Sequence, residues 1–213
     1  TPLYSSAASD VYKRQRLVIE FMKEHPFAML IGNSKGRAVA TQIPLMIEER
    51  EGKLFLVGHL ARKQDHQLVF EENKEALVVF TGAHAYVSAT WYENPHIAST
   101  WNYSSVHVRG KLVFLDEEGL IDALRKLSLQ YEKQNTQSST IYDNLPADDT
   151  AKMLKAIVGF TVEVESIDHV FKLSQNRDAK SYDNIVVQLK EEGGEAATVA
   201  KTMEERKDKL FKQ

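Results

Sequence analysis

Cysteine is absent from the 213 residues, which excludes disulfides and thiolate chemistry and fits a reducing compartment. Neither sign of charge dominates: 27 Lys and Arg stand against 30 Asp and Glu. No global basic field is therefore available to draw in nucleic acid or an anionic membrane, although a local basic patch stays open. Apolar runs are short. None approaches the roughly twenty residues that span a bilayer, and no charged start is followed by an apolar middle of signal type. The chain is read as cytoplasmic. GxGxxG, P-loop and HExxH motifs are missing, as is any internal repeat, so the usual dinucleotide, nucleotide-triphosphate and zinc-protease fingerprints are lacking.

What remains is a chain with 43% hydrophobic and 27% charged residues, long enough for one sizeable domain and short for two. The first fifteen residues, TPLYSSAASDVYKRQ, have no sustained hydrophobic period and resemble a translated sequencing adaptor; an ordinary disordered terminus is the alternative. Residues 16–213 are taken as the domain. Leu17, Val18, Phe21 and Met22 share a helical face that Pro26 ends. FAMLI, GNSKG and RAVATQIPLMIE read as strand, turn, strand, with Gly32, Asn33 and Gly36 as the positive-φ positions and Pro44 marking a sheet edge or bulge. KLFLVGH follows as a strand after a turn at EREG. ARKQDHQLVFEEN reads as a short helix with Leu68, Val69 and Phe70 inward, and EALVVFTG as a strand.

Past residue 103, Val106 and Val108 alternate with His107 and Arg109 as in a half-buried strand, and Gly110 marks a bend. Asp116 caps the clearest helix, with Leu120, Ile121, Leu124, Leu127 and Tyr131 at helical spacing. A second helix spans Asp148 to Ile157, GFTVEVESI and NIVVQLK read as strands, and the tail from Glu195 as a charged amphipathic helix. This order lacks the βαβ rhythm of a doubly wound sheet and suits an antiparallel barrel decorated with helices.

Residues 81–112, TGAHAYVSATWYENPHIASTWNYSSVHVRGKL, hold both tryptophans, three of the seven histidines and three of the eight tyrosines. Such planar side chains cover a flat ligand, a subunit interface or a core. His84, His96 and His107 fit no compact ligand spacing, so no metal site is assigned.

This stretch, with GHLARK upstream and FKLSQNR downstream, resembles the PaiB-type family of FMN-binding negative transcriptional regulators over roughly residues 17 to 205. The resemblance implies a mainly β fold with helices, a six-stranded antiparallel split barrel. It also implies a homodimer with FMN in a groove at the dimer interface. The family's usual amino-terminal tyrosine and proline segment is lacking.

Each block has a physical reading beside that resemblance. In GHLARKQ a strand ends and a helix begins just after Arg62 and Lys63, an arrangement suited to a terminal phosphate; a solvated surface charge pair is the plain alternative. His59 sits at the strand end. Thr41 and Gln42 lie on the strand that runs under the flavin in related barrels, and main-chain groups near Ile43 can meet the ring's polar edge. Trp101 and Asn102 are placed near the cofactor, Trp91 and Tyr92 in structural roles. Lys172 and Gln175 are preferred in the donor-rich loop FKLSQNRDAK.

No catalytic acid or base stands out. Three functions stay in play: an FMN-binding regulator acting indirectly, since no basic recognition helix supports direct DNA reading; a flavin-dependent oxidoreductase on an unknown small molecule; and a haem-binding split barrel using His169 or a histidine of residues 84–107.

Overall fold

The computed structural model describes residues 15–94 and 96–211. The leader expected at residues 1–15 lies, but for Gln15, outside them. Helix α1 covers residues 15–24. It buries Val18 and Met22, four apart on one face, and leaves Leu17 outside.

Seven strands form one sheet in the order β2-β1-β5-β6-β7-β4-β3. They are β1 (Phe27–Ser34), β2 (Arg37–Pro44), β3 (Met46–Arg50), β4 (Lys53–Ala61), β5 (Glu75–Val87), β6 (Thr100–Phe114) and β7 (Ile157–Lys172). β1 pairs antiparallel with β2 and β5, and β4 with β3 and β7. The count is seven rather than the six that the resemblance implies, and RAVATQIPLMIE, read as one strand, breaks at Leu45 just after Pro44. β2 and β3 then occupy opposite edges of the sheet, joined by Leu45 alone. One residue spans at most roughly 7 Å between its neighbours' Cα atoms, so the two edges must meet at that point. No ladder joins β2 to β3, so the seven-stranded sheet is not closed, and the chain through Leu45 is what links those two strands. The Leu45 N–H there bonds the Pro26 carbonyl at 2.9 Å.

The turns differ in detail from the expectation. Gly32 and Asn33 remain in β1, and the left-handed positions are Lys35 (φ 51°) and Gly36 (φ 77°), a two-residue hairpin turn. Gly32 is needed for closeness instead: an added Cβ would sit 2.7 Å from the Phe70 ring. Gly110 likewise lies within β6, where a side chain would overlap the Glu163 carbonyl of β7. Helix α2 (Asp65–Glu72) buries Val69 and Phe70 but leaves Leu68 50% exposed. Three consecutive helical residues sweep too wide an arc to share one face.

Backbone contacts divide the described residues into two compact units, one of residues up to 80 and 107–168 and one of 81–106 and from 169 on. The first contains β1 to β4, the larger parts of β6 and β7 with the start of β5, and the helices α1, α2, α3 (Glu117–Tyr131) and α4 (Ala147–Ala156). Asp116 caps α3, accepting from the Gly119 N–H at 2.8 Å. α3 covers part of the sheet, where Ala123 meets Met46 and Val57.

The second unit contains the far ends of β5, β6 and β7 with α5 (Ala179–Glu192) and α6 (Gly194–Phe211). NIVVQLK, read as a strand, is the centre of α5. Its apolar run is too short to separate strand from helix by period, but Tyr182, Ile185, Val186 and Leu189 form one buried helical face. The Asp178 carboxylate caps α5 by accepting from the Ser181 N–H at 2.8 Å. These residues pack on Val199, Ala200 and Met203 of α6 and on Ala85, Val87 and Tyr92. The Tyr182 hydroxyl donates to the Met203 carbonyl at 2.8 Å, and burial pushes its pKa up to about 12.

Candidate functional site

In the first unit, β4 runs out at Ala61 and the chain turns into α2 through Arg62, Lys63 and Gln64. The Arg62 N–H bonds the Ala156 carbonyl at 2.8 Å. Lys63 is left-handed (φ 60°), and its N–H bonds the Gln67 side-chain oxygen at 2.6 Å. Those two bonds fix the turn's backbone and leave both cationic side chains exposed. The helix has an extended Gln64 at its cap position with no side-chain cap bond, so donors of its first turn remain open.

The electrostatics favour an anion there. Asp65, the one acid in the first turn, is paired with Arg37 of β2. Arg62 and Lys63 have no carboxylate partner among the described residues. His66 follows in the same turn; burial lowers its pKa against the opposing pull of Asp65, and its buried Nε2 has no partner. His59, on β4, is also held below the ordinary histidine range by burial, so it is neutral near pH 7.

Thr41, Gln42 and Ile43 lie together on β2 but do not face one way. Gln42 is opposite Met29, while Thr41 and Ile43 are opposite the buried Leu30 and Ala28. Cross-strand partners share a face, so only Gln42 points outward. β2 is also a sheet edge, with backbone donors and acceptors on its free side.

In the second unit the four expected residues differ in how far they are engaged. Asn102 is fully buried; its amide donates to Met203 Sδ at 3.4 Å and its oxygen accepts from the Ser174 hydroxyl at 3.0 Å. Lys172 Nζ donates to Thr100 Oγ1 at 2.6 Å. Gln175 closes its own loop, donating to the Phe171 carbonyl at 2.6 Å and accepting from the Leu173 N–H at 2.7 Å. Trp101 is 52% exposed, with His84 and Tyr86 beside it at ring separations of 5.9 Å. It is the one of the four with a surface open to a planar ligand. Trp91 and Tyr92 belong to the core packing. His84 Nδ1 lies 3.1 Å from a Glu195 oxygen.

Sequence reasoning missed Arg37, whose pairing with Asp65 leaves the neighbouring cations uncompensated, and Gln67, which pins the turn. Gln67 follows Lys63 at helical spacing, a signal that was available. Arg37 depends on how strands bring distant segments together and left none.

A flavin mononucleotide needs a cationic, donor-rich place for its phosphate and polar groups for its ring edge. Arg62 and Lys63 at the uncapped start of α2, and the free edge of β2, fit those needs.

Comparison with known proteins bears on the family and the fold. Residues 8–166 match the family described as "Putative FMN-binding domain". The Bacillus subtilis (strain 168) protein named "Protease synthase and sporulation protein PAI 2" is 36% identical over 194 residues, covering 91% of each chain. An uncharacterized protein of Saccharomyces cerevisiae is 30% identical over 109 residues, 48% of this chain and 64% of its own. The fold is similar to that of the FAD and heme binding protein from Mycobacterium smegmatis, with a TM-score of 0.52 at 20% identity, covering 75% of this chain and 71% of that one. No helix among the described residues is long and apolar enough to cross a membrane. With the family matched over most of its length and a full-length relative beside it, the chain belongs to the FMN-binding split-barrel family of the PaiB type.

Proposed function

We propose that FMN is held with its phosphate on Arg62 and Lys63 at the start of α2, and that the loaded protein is a homodimer regulating transcription without reading DNA itself. The observation that carries this reading is the pair of cations without carboxylates at an uncapped helix start. A phosphate supplies the missing charge and accepts from both side chains and from first-turn N–H groups. The Gln42 amide, with a donor and an acceptor, and the free main chain beside Ile43 suit the polar edge of the flavin ring. Bound flavin supplies hydride chemistry, while the protein's part is binding and orientation.

The homodimer reading is supported by the contrast between two sectors of the barrel's outer surface. On β4, β6 and β7 that surface carries the ion pairs Lys53–Glu163 and Lys111–Glu165. On β1 and β5 it presents Phe27, Met29, Ile31, Leu77 and Val79, with Phe27 60% exposed. An apolar sheet face of this kind, charged only at its Glu75 end, suits a second copy, and a permanent interface buries more than about 2,000 Å² in total. The indirect reading is supported by the net charge of −3, which gives no global field toward DNA.

Titration calorimetry with FMN and with riboflavin tests the phosphate assignment. FMN binds at least about tenfold more tightly if the cations hold its phosphate; equal affinities overturn the assignment.

A further inference from the structure

Apart from the flavin residues, the first unit has a cleft between α3 and α4 that no part of the flavin reading uses. Its volume is about 250 Å³ and its walls are Leu124, Leu127, Tyr131, Tyr142, Leu145 and Met153. α4 has no fully buried residue, although its amphipathic sequence brings Met153 to this cleft. The apolar side of α4 is thus left incompletely packed. Burying such surface is favourable at about 25 cal/mol per Å², so a ligand that completes the packing gains from it.

The polar lining says which ligand. Ser128 is already engaged, its hydroxyl donating to the Arg125 carbonyl at 3.1 Å and accepting from the Tyr142 N–H at 3.0 Å. Glu132 is the one charged lining residue. Its carboxylate accepts from the Ser138 hydroxyl at 2.9 Å, and hydrogen bonds from Thr140 and Ser138 keep it below the usual carboxylate range. Among the described residues no cation is paired with Glu132, and Arg125, two turns earlier on α3, is occupied by Asp143 at 2.6 Å and lies over the Tyr142 ring at 5.7 Å. The cleft therefore presents an apolar wall and one carboxylate without an ion-pair partner among the described residues. A dry cavity of about 150 Å³ admits benzene, so this one has room for a ring and a short arm.

We infer that the cleft between α3 and α4 is a binding site for a small hydrophobic amine, with its ring against Leu127, Leu145 and Met153 and its ammonium group donating to Glu132. The amine is an effector-sized ligand, bound without chemistry at a place separate from the flavin residues.

The test is calorimetry on the whole FMN-treated protein with three probes of one shape: 2-phenylethylammonium, 2-phenylethanol and 3-phenylpropionate. The ammonium probe binds at least about tenfold more tightly than the alcohol, and the carboxylate does not bind at about 10 mM. Glu132→Gln brings the ammonium to the alcohol's affinity and leaves the alcohol unchanged. Met153→Trp, which fills the cleft from a partly exposed helix, removes both; Leu127→Trp is the second filling variant should the first alter the melting temperature. Equal binding of the three probes, no binding of the ammonium at about 10 mM, or binding indifferent to both filling variants overturns the inference. FMN titration of the same samples reads the flavin assignment separately, since none of these residues belongs to it.

Discussion

Replacing Arg62 and Lys63 together by alanine removes both charges facing the proposed phosphate, and the structure lets the size of that loss be worked out. A hydrogen bond to a charged group contributes about 1.5–3 kcal/mol. Both side chains are exposed, which puts each at the low end, so the pair amounts to about 3 kcal/mol, or about a hundredfold in FMN affinity. The fold should not register the change. Neither side chain has an ion-pair partner among the described residues, and the turn is held through the Arg62 and Lys63 backbone N–H groups, which alanine keeps. The left-handed φ of 60° at Lys63 penalises any L side chain similarly, so the substitution adds no strain. Riboflavin lacks the phosphate and therefore serves as the internal control. Calorimetric titration of both ligands into both proteins should show FMN weakened about a hundredfold and riboflavin unchanged, at an unaltered melting temperature. FMN affinity within about threefold of the parent refutes the reasoning.

Tyr92 is 6% exposed, with its hydroxyl unpartnered, so Tyr92→Phe should hold or raise stability in urea unfolding; a loss of more than about 1 kcal/mol means that the hydroxyl has a partner after all. Gly110→Ala forces a side chain into the Glu163 backbone carbonyl, whereas Gly32→Ala meets side chains, the Phe70 ring and Val69 Cγ1. The first should therefore destabilise the protein more than the second, and the reverse order of chemical-unfolding midpoints contradicts the packing. Tyr182 has its pKa raised to about 12 by burial, so the folded state holds the proton more tightly than the unfolded one. That contribution is intact below pH 10 and is lost as pH rises toward 12. Tyr182→Phe should flatten the alkaline slope of stability, and an unchanged slope rejects the assignment. Met29→Lys charges the apolar sheet face and should give a monomer by light scattering at micromolar concentration; a dimer that persists removes this face as the interface.

Much of the fold was legible where local chemistry decides it. Asp116 before an apolar period of helical spacing specifies α3, and Pro44 does end a strand at a sheet edge. What the local pattern does not contain is where the chain goes next: only tertiary pairing sends β3 to the opposite edge. NIVVQLK shows the limit of period, because its helical face is completed by Tyr182 outside the window. Gly32 is a glycine for packing rather than turning, a reason that depends on Phe70 in a helix. The candidate site was partly legible for the same reason. Arg62 and Lys63 adjoin a helix start in sequence as in space. Asn102, Lys172 and Gln175 have residue types suited to a ligand, but their partners are Met203, Thr100 and a local backbone. The first two of those contacts join segments far apart in the chain.

The most direct test of the flavin account is an absorption spectrum of the protein after incubation with FMN and removal of free ligand by gel filtration. The account predicts a flavin band near roughly 450 nm travelling with the protein, at one FMN per chain. Colourless protein with all FMN eluting free, or a sharp band near roughly 400 nm from haem, contradicts it.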